Sequence, residues 1–215
     1  VTSVTTRLIL LRHGETAWNA EHRMQGQLDV PLSATGVWQA EQLTQALADE
    51  PIDAVYASDL VRARLTALPL AERLGLVAQR HIGLRERHFG IFQGHTVDEV
   101  AVRWPAHFAG WRAREEQWRI PDGESGREFI DRVLAALQEI VARHAGARIA
   151  VVAHGGVLDV AYRAARSLSW NAPREHQMLN AAINRMNGTA PPLVLAIERW
   201  GDTRHLATAR DELLA

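Results

Sequence analysis

The 215 residues include no cysteine and no lysine. Without cysteine there are no disulfides, thiolate nucleophiles, iron–sulfur clusters or cysteine-rich zinc sites. Without lysine there is no Walker-type phosphate loop, no Schiff-base nucleophile and no pyridoxal phosphate anchor. All 24 basic residues are therefore arginines, set against 25 acidic ones for a formal charge of −1. So even a balance gives no field to draw nucleic acid or an acidic membrane surface, and neither is expected as a partner. Long apolar runs are missing as well, with nothing near the roughly 18–20 residues of a membrane span. Val1 to Thr6 is polar and β-branched and leads into a strand, unlike the basic, then apolar, start of a secretory leader. A cytoplasmic location is expected.

What is present is material for a core, since 47% of the residues are apolar. The length suits one domain spanning 1–215. Apolar runs of strand length alternate with stretches of helical period, which predicts a parallel α/β fold. Leu8 to Leu11 and Ile149 to Ala153 are continuous apolar runs, as in strands buried on both faces. Ala54 to Ala57 and Val77 to Arg80 are two further strands. Ser33 caps a predicted helix carrying Val37, Ala40, Leu43 and Leu47. Another helix starts after Ser58 or Asp59, with Gly75 at its end and a kink or break expected at Pro69. Ser125 and Glu128 have capping-box spacing at the head of a long helix. Ala182 to Met186 and Leu193 to Ile197 read as a hairpin whose loop contains Asn187 to Pro192.

Between about 87 and 122 this rhythm stops. Thr96 and Glu99 form a second capping box, and Pro105 ends the helix it begins. Trp104, Phe108, Trp111 and Trp118 fall on one helical face. Two readings hold side by side: an aromatic stripe packed on the main core, and a lid over a site, with Arg103, Arg112, Arg114 and Arg119 available to an anionic substrate.

Two strand ends repeat one arrangement. Leu8 to Leu11 runs into Arg12-His13-Gly14-Glu15-Thr16, and Ile149 to Ala153 runs into His154-Gly155-Gly156. Ligands of open parallel sheets bind where strand ends meet the following loops. Neighbouring strands lie about 5 Å apart, so both imidazoles face one small group if these two strands are adjacent. The glycines admit close backbone approach, and a helix after His154 favours an anion. Arg62, after the third strand, adds a guanidinium. Its fork fits tetrahedral phosphate oxygens, so the ligand indicated is a phosphoryl group. Cysteine is absent and no Asp-x-Asp pair occurs, which leaves histidine as the covalent option for phosphoryl transfer.

These residues, taken in order, resemble the histidine phosphatase (phosphoglycerate mutase-like) superfamily, in its small phosphatase branch. The matching segments are Arg12 to Thr16 with Trp18-Asn19; Gln25-Gly26, Asp29, Pro31-Leu32, Gly36 and Gln39-Ala40; Ser58 to Leu60, Arg62-Ala63 and Thr66-Ala67; Leu84 to Glu86, Gly90 and Gly94; Pro121, Gly123 to Ser125, and Val151 to Gly156. The resemblance covers about residues 7–160 well and the C-terminal hairpin loosely. It implies a three-layer α/β/α sandwich around a mostly parallel sheet, with a lid-like helical insertion at about 87–122 and the hairpin at the end. It also implies a phosphomonoesterase acting on a small phosphorylated molecule, with no metal and no organic cofactor.

By the same resemblance, His13 is similar to the nucleophile that becomes phosphohistidine. Arg12, Arg62 and His154 are similar to the residues that bind phosphoryl oxygens and stabilise the transition state, and Asn19 and Gly155 to further phosphate contacts. Glu86 matches the proton donor to the leaving oxygen, and the same carboxylate then activates water. Its neighbours Arg85 and Arg87 favour a carboxylate, whereas a general acid needs the opposite bias, from phosphate charge or burial. Thr16, Gln25, His88 and Arg112 are the candidates for contacting the rest of the substrate. The runner-up activity is a cofactor-dependent phosphoglycerate mutase, which shares the phosphohistidine. The chain is shorter than the mutases and lacks their paired-arginine, proline-rich insert, although Arg87-His88-Phe89-Gly90 is mutase-like. A non-catalytic phosphate-binding module is the third reading; it would not require a nucleophile. Oligomeric state leaves no mark in the sequence.

Overall fold

The structure is a computed structural model that describes residues 4–206; Val1 to Ser3, at the head of the polar start, lie outside them. The strands are β1 (Thr6–Arg12), β2 (Ala54–Ala57), β3 (Ala78–Arg80), β4 (Arg148–Ala153), β5 (Ile183–Thr189) and β6 (Val194–Asp202). The helices are α1 (Ala17–Ala20), α2 (Ala34–Leu47), α3 (Val61–Arg73), α4 (Val97–Arg103), α5 (Pro105–Arg112), α6 (Gly126–Arg143) and α7 (Gly155–Arg166). All six strands join one sheet in the order β3-β2-β4-β1-β5-β6. The first four run parallel, and β5 and β6 are antiparallel additions on the far side of β1.

Side chains alternate across a strand, so each continuous apolar run serves two cores at once. Leu8 and Leu10 pack with Ile149, Val151 and the apolar faces of α6 and α7. Ile9 and Leu11 pack with Ala150, Val152, Leu43 and Leu47 of α2, and Ala67 and Leu70 of α3. Each such side chain contributes about 1.5–3 kcal/mol when fully buried. The result is three layers, helices on both faces of a mostly parallel sheet, with its two core strands β1 and β4 side by side in the middle.

Several local expectations need correction. Pro69 does not divide α3. The hydrogen bond it deletes would have gone to the carbonyl of Leu65, a residue on the exposed side of the helix. The helix starts later than expected, with Leu60 rather than Ser58 or Asp59 at its N-cap. Val37 faces water, because the buried first turn of α2 is Gly36, Gln39 and Ala40. Asn187 and Gly188 lie within β5 rather than in the hairpin loop. They pair with Arg7 and Thr6 of β1 on one side and with Ala196 and Leu195 of β6 on the other, and this double pairing overrides their turn propensity.

The aromatic stripe is not one helical face. Trp104 separates α4 from α5, and Trp118 follows α5. The aromatic residues instead surround a third cluster of their own, built on Met24, Phe89, Phe92, Val100, Trp111 and Ile120. This segment therefore has a small core distinct from those on the two sheet faces.

Candidate active site

Register decides whether the two histidines meet. Arg12 of β1 is opposite Ala153 of β4, and the His13 N–H donates to the Ala153 carbonyl at 3.0 Å. The residues after these, His13 and His154, leave the sheet together, and their ring centroids lie 5.2 Å apart. Beside β4, the end of β2 delivers Ser58, whose Oγ is 2.8 Å from His154 Nε2. His13 Nδ1 lies 2.7 Å from the Gly14 carbonyl oxygen, which only accepts. That nitrogen therefore carries the proton, and the lone pair belongs to Nε2.

Arg12 and Arg62 flank these rings and are 1% exposed each. Arg62 donates to the carbonyls of Gly26 at 2.7 Å and Leu28 at 2.9 Å, and Arg12 donates to that of Met178. Carbonyl partners orient a guanidinium without cancelling its charge. The two buried imidazoles answer to this field. Burial first, then the charge of Arg62, holds both His13 and His154 well below the usual histidine range, with Arg12 adding to it. Both rings are neutral at pH 7, as a nitrogen nucleophile requires.

Glu86 is 6% exposed and sits at the N-terminus of α7. One carboxylate oxygen accepts the Gly156 N–H at 2.9 Å, the other the Arg87 N–H at 2.7 Å. A methyl group on Gly156 would overlap Glu86 Oε1, so only glycine seats the carboxylate there. The guanidinium groups on either side of Glu86 turn elsewhere. Arg85 binds Asp59 through two bonds of 2.7 and 2.6 Å, and Arg87 donates to the Glu124 carbonyl at 3.0 Å.

Of the remaining candidates, Gly155 starts α7 beside the Arg12 guanidinium, 3.6 Å from its Nε measured to an added Cβ. Asn19 is buried, and its Oδ1 accepts from the Thr16 N–H at 2.9 Å. Thr16 is fully buried and caps α1, and Gln25 is buried near by. His88 is half-buried, its Nδ1 accepting from Gly90 N–H at 3.1 Å. Arg112 is exposed at the end of α5; Arg114, two residues on, lines a recess with Glu86.

The support behind His13 was not among the expectations from sequence. Asn180 donates to the His13 carbonyl at 3.0 Å, and the Ala181 N–H bonds the carbonyls of Arg12 and His13. Thr66 Oγ1 accepts from Gly14 N–H at 2.9 Å, and Gln39 Oε1 from Glu15 N–H at 2.7 Å. Ser58, Thr66 and Gln39 stand in motif segments without an assigned role, while nothing local distinguishes Asn180. Among the described residues no group of three or more His, Cys, Asp or Glu is placed to hold a metal ion.

Two neutral histidines and two buried arginines thus meet at the carboxyl edge of the central strands of a three-layer α/β fold. The chain belongs to the histidine phosphatase superfamily (branch 1), whose family model matches residues 8–203. It is 38% identical over 205 residues to phosphoglycerate mutase-like protein 4 of Arabidopsis thaliana, covering 93% of this chain and 86% of that one. It is 36% identical over 212 residues to the metal-independent phosphoserine phosphatase of the same plant, covering 97% and 86%. The solved structure of a mycobacterial glucosyl-3-phosphoglycerate phosphatase superimposes with a TM-score of 0.79 at 31% identity, covering 93% of this chain and 100% of that one.

Proposed function

We propose that the chain hydrolyses a small phosphomonoester through a phosphohistidine on His13. Nε2 of His13 attacks phosphorus, the phosphorus–oxygen ester bond breaks, and Glu86 gives its proton to the departing alkoxide. Water then attacks the phosphohistidine, losing a proton to Glu86. The phosphorus–nitrogen bond breaks, and phosphate and neutral His13 return. Arg12, Arg62 and His154 donate to the phosphoryl oxygens as their charge shifts, with Asn19 and the N-terminus of α7 at Gly155 as further partners. The segment 87–122 serves as the lid on the side of the leaving group.

The observation that carries this reading is the juxtaposition of His13 Nε2, its proton fixed on the other nitrogen, with a second neutral imidazole and two permanently charged guanidinium groups. His13→Ala should abolish phosphate release from an aryl phosphate while leaving the circular dichroism spectrum and unfolding midpoint in place. Retained turnover would overturn the assignment. Two of the similar proteins are named as phosphatases, one for phosphoserine and one for glucosyl-3-phosphoglycerate, which supports hydrolysis of a small phosphorylated metabolite. The mutase reading has the name of the Arabidopsis mutase-like relative in its favour. Incubation with 3-phosphoglycerate, with and without 2,3-bisphosphoglycerate, separates the two by whether 2-phosphoglycerate or free phosphate accumulates.

A further inference from the structure

Glu86 stands on a loop, just after the 3₁₀ turn Ile82–Leu84, and a loop has no ladder of its own to fix its peptide planes. The support comes from α6. Arg132 stands beside the buried Phe129 and Val133, with its guanidinium 5.3 Å from the Phe129 ring centre. It donates to the carbonyls of Gly83 at 3.0 Å, Arg85 at 2.9 Å and Glu86 at 3.2 Å. Its other two bonds, of 2.9 and 2.8 Å, go to the two oxygens of the Glu124 carboxylate. A guanidinium carries five N–H groups in one plane, and here each has an acceptor. An ammonium group, with three donors and no plane, does not reproduce that pattern.

The carbonyls of Arg85 and Glu86 belong to the two peptide planes that flank the Glu86 Cα. A peptide group is rigid and planar, so holding its oxygen also aims its N–H. The plane after Glu86 carries the Arg87 N–H, which donates to the Glu86 carboxylate at 2.7 Å. Arg132 therefore orients the same peptide group that grips the acid. Glu124 extends the clamp past it. Its carboxylate accepts the His88 N–H at 2.8 Å, and its own N–H donates to the His88 carbonyl at 2.9 Å. The loop is thus tied to α6 on both sides of Glu86. Close approach is built in, since a methyl group on Gly83 would stand 2.8 Å from Ala136 Cβ.

We infer that Arg132 is a positioning residue for proton transfer: through the peptide planes around Glu86 it holds the carboxyl group at the departing oxygen. It acts through the loop rather than on the substrate. The inference rests on the reading of Glu86 as proton donor in the proposed hydrolysis. A misplacement of about 1 Å in such a group costs on the order of 10²-fold in rate.

Benzyl phosphate and 4-nitrophenyl phosphate are similar in shape, but only the first has a departing oxygen that needs a proton. Arg132→Gln and Arg132→Lys should each lower kcat/KM for benzyl phosphate at least about tenfold more than for the nitrophenyl ester. Glu124→Gln, which loosens the same loop from its other end, should move the ratio in the same direction. The ratio is internal to each variant, so poor folding alone lowers both substrates and leaves it unchanged. Placed on top of Glu86→Gln, Arg132→Gln should not change the ratio further, because the group it positions is gone. A ratio that keeps its unmodified value in all three variants, or that falls again in the double variant, would overturn the role of Arg132. A ratio unmoved by Glu86→Gln itself, or benzyl phosphate left intact by the unmodified protein while the nitrophenyl ester turns over, would instead remove the proton donor beneath it, and the inference with it.

Discussion

At the scale of single residues, the chemistry depends on where two protons are not. Burial and the charge of Arg62 keep His13 and His154 neutral in the folded protein at a pH where histidines in the unfolded chain are already protonated. Below about pH 6.5 the unfolded chain therefore binds more protons than the folded one, and stability falls as pH falls through that window. The urea midpoint should drop between pH 7.5 and 5.5, and the drop should shrink in His154→Gln. By the same logic kcat/KM for an aryl phosphate should not fall at the usual histidine pKa, since neutral His13 persists below it. An acid limb centred at about 6.5, the usual histidine value, would contradict this. Glu86→Gln should slow alkyl phosphates far more than aryl phosphates, because only the poorer leaving group needs the proton; a loss of about 10²–10⁴-fold is the usual range for such a group. His13, Arg12, Arg62 and His154 were readable because each directly follows, or closely trails, an apolar run in the sequence. Asn180 was not, since its partner is the carbonyl of His13, 167 positions away.

At the scale of elements, the strands were legible from their composition and the main helices from their caps. Ser33, Thr96 and Ser125 each cap the helix expected of them. Ser125→Ala should cost about 0.5–2 kcal/mol in unfolding free energy, read from denaturant midpoints. What local rules misjudged were places where the surroundings overrule them: the exposed side of α3 before Pro69, and β1 and β6 holding Asn187-Gly188 straight. Gly156 belongs at this scale too, because it fits the start of α7 to the Glu86 loop. Gly156→Ala should displace the carboxylate and reduce turnover of alkyl phosphates strongly while shifting the unfolding midpoint little. A variant with full activity would show that the seat tolerates a side chain.

Across the whole molecule, three apolar clusters divide the labour. Two sandwich the sheet, and the third holds the 87–122 segment around Phe92 and Trp111. Trp111→Ala should raise amide hydrogen exchange across 97–112 while leaving β1 and β4 protected; uniform loss of protection would mean that this cluster is continuous with the rest. The length of the chain enters the site as well. The strand that leads into His13 is flanked by β4 and β5, and Met178, Asn180 and Ala181 hold its end from behind. A polypeptide ending at α7 would contain both imidazoles and both guanidiniums, yet lack the brace that fixes them, so the arrangement is completed only by residues that follow α7.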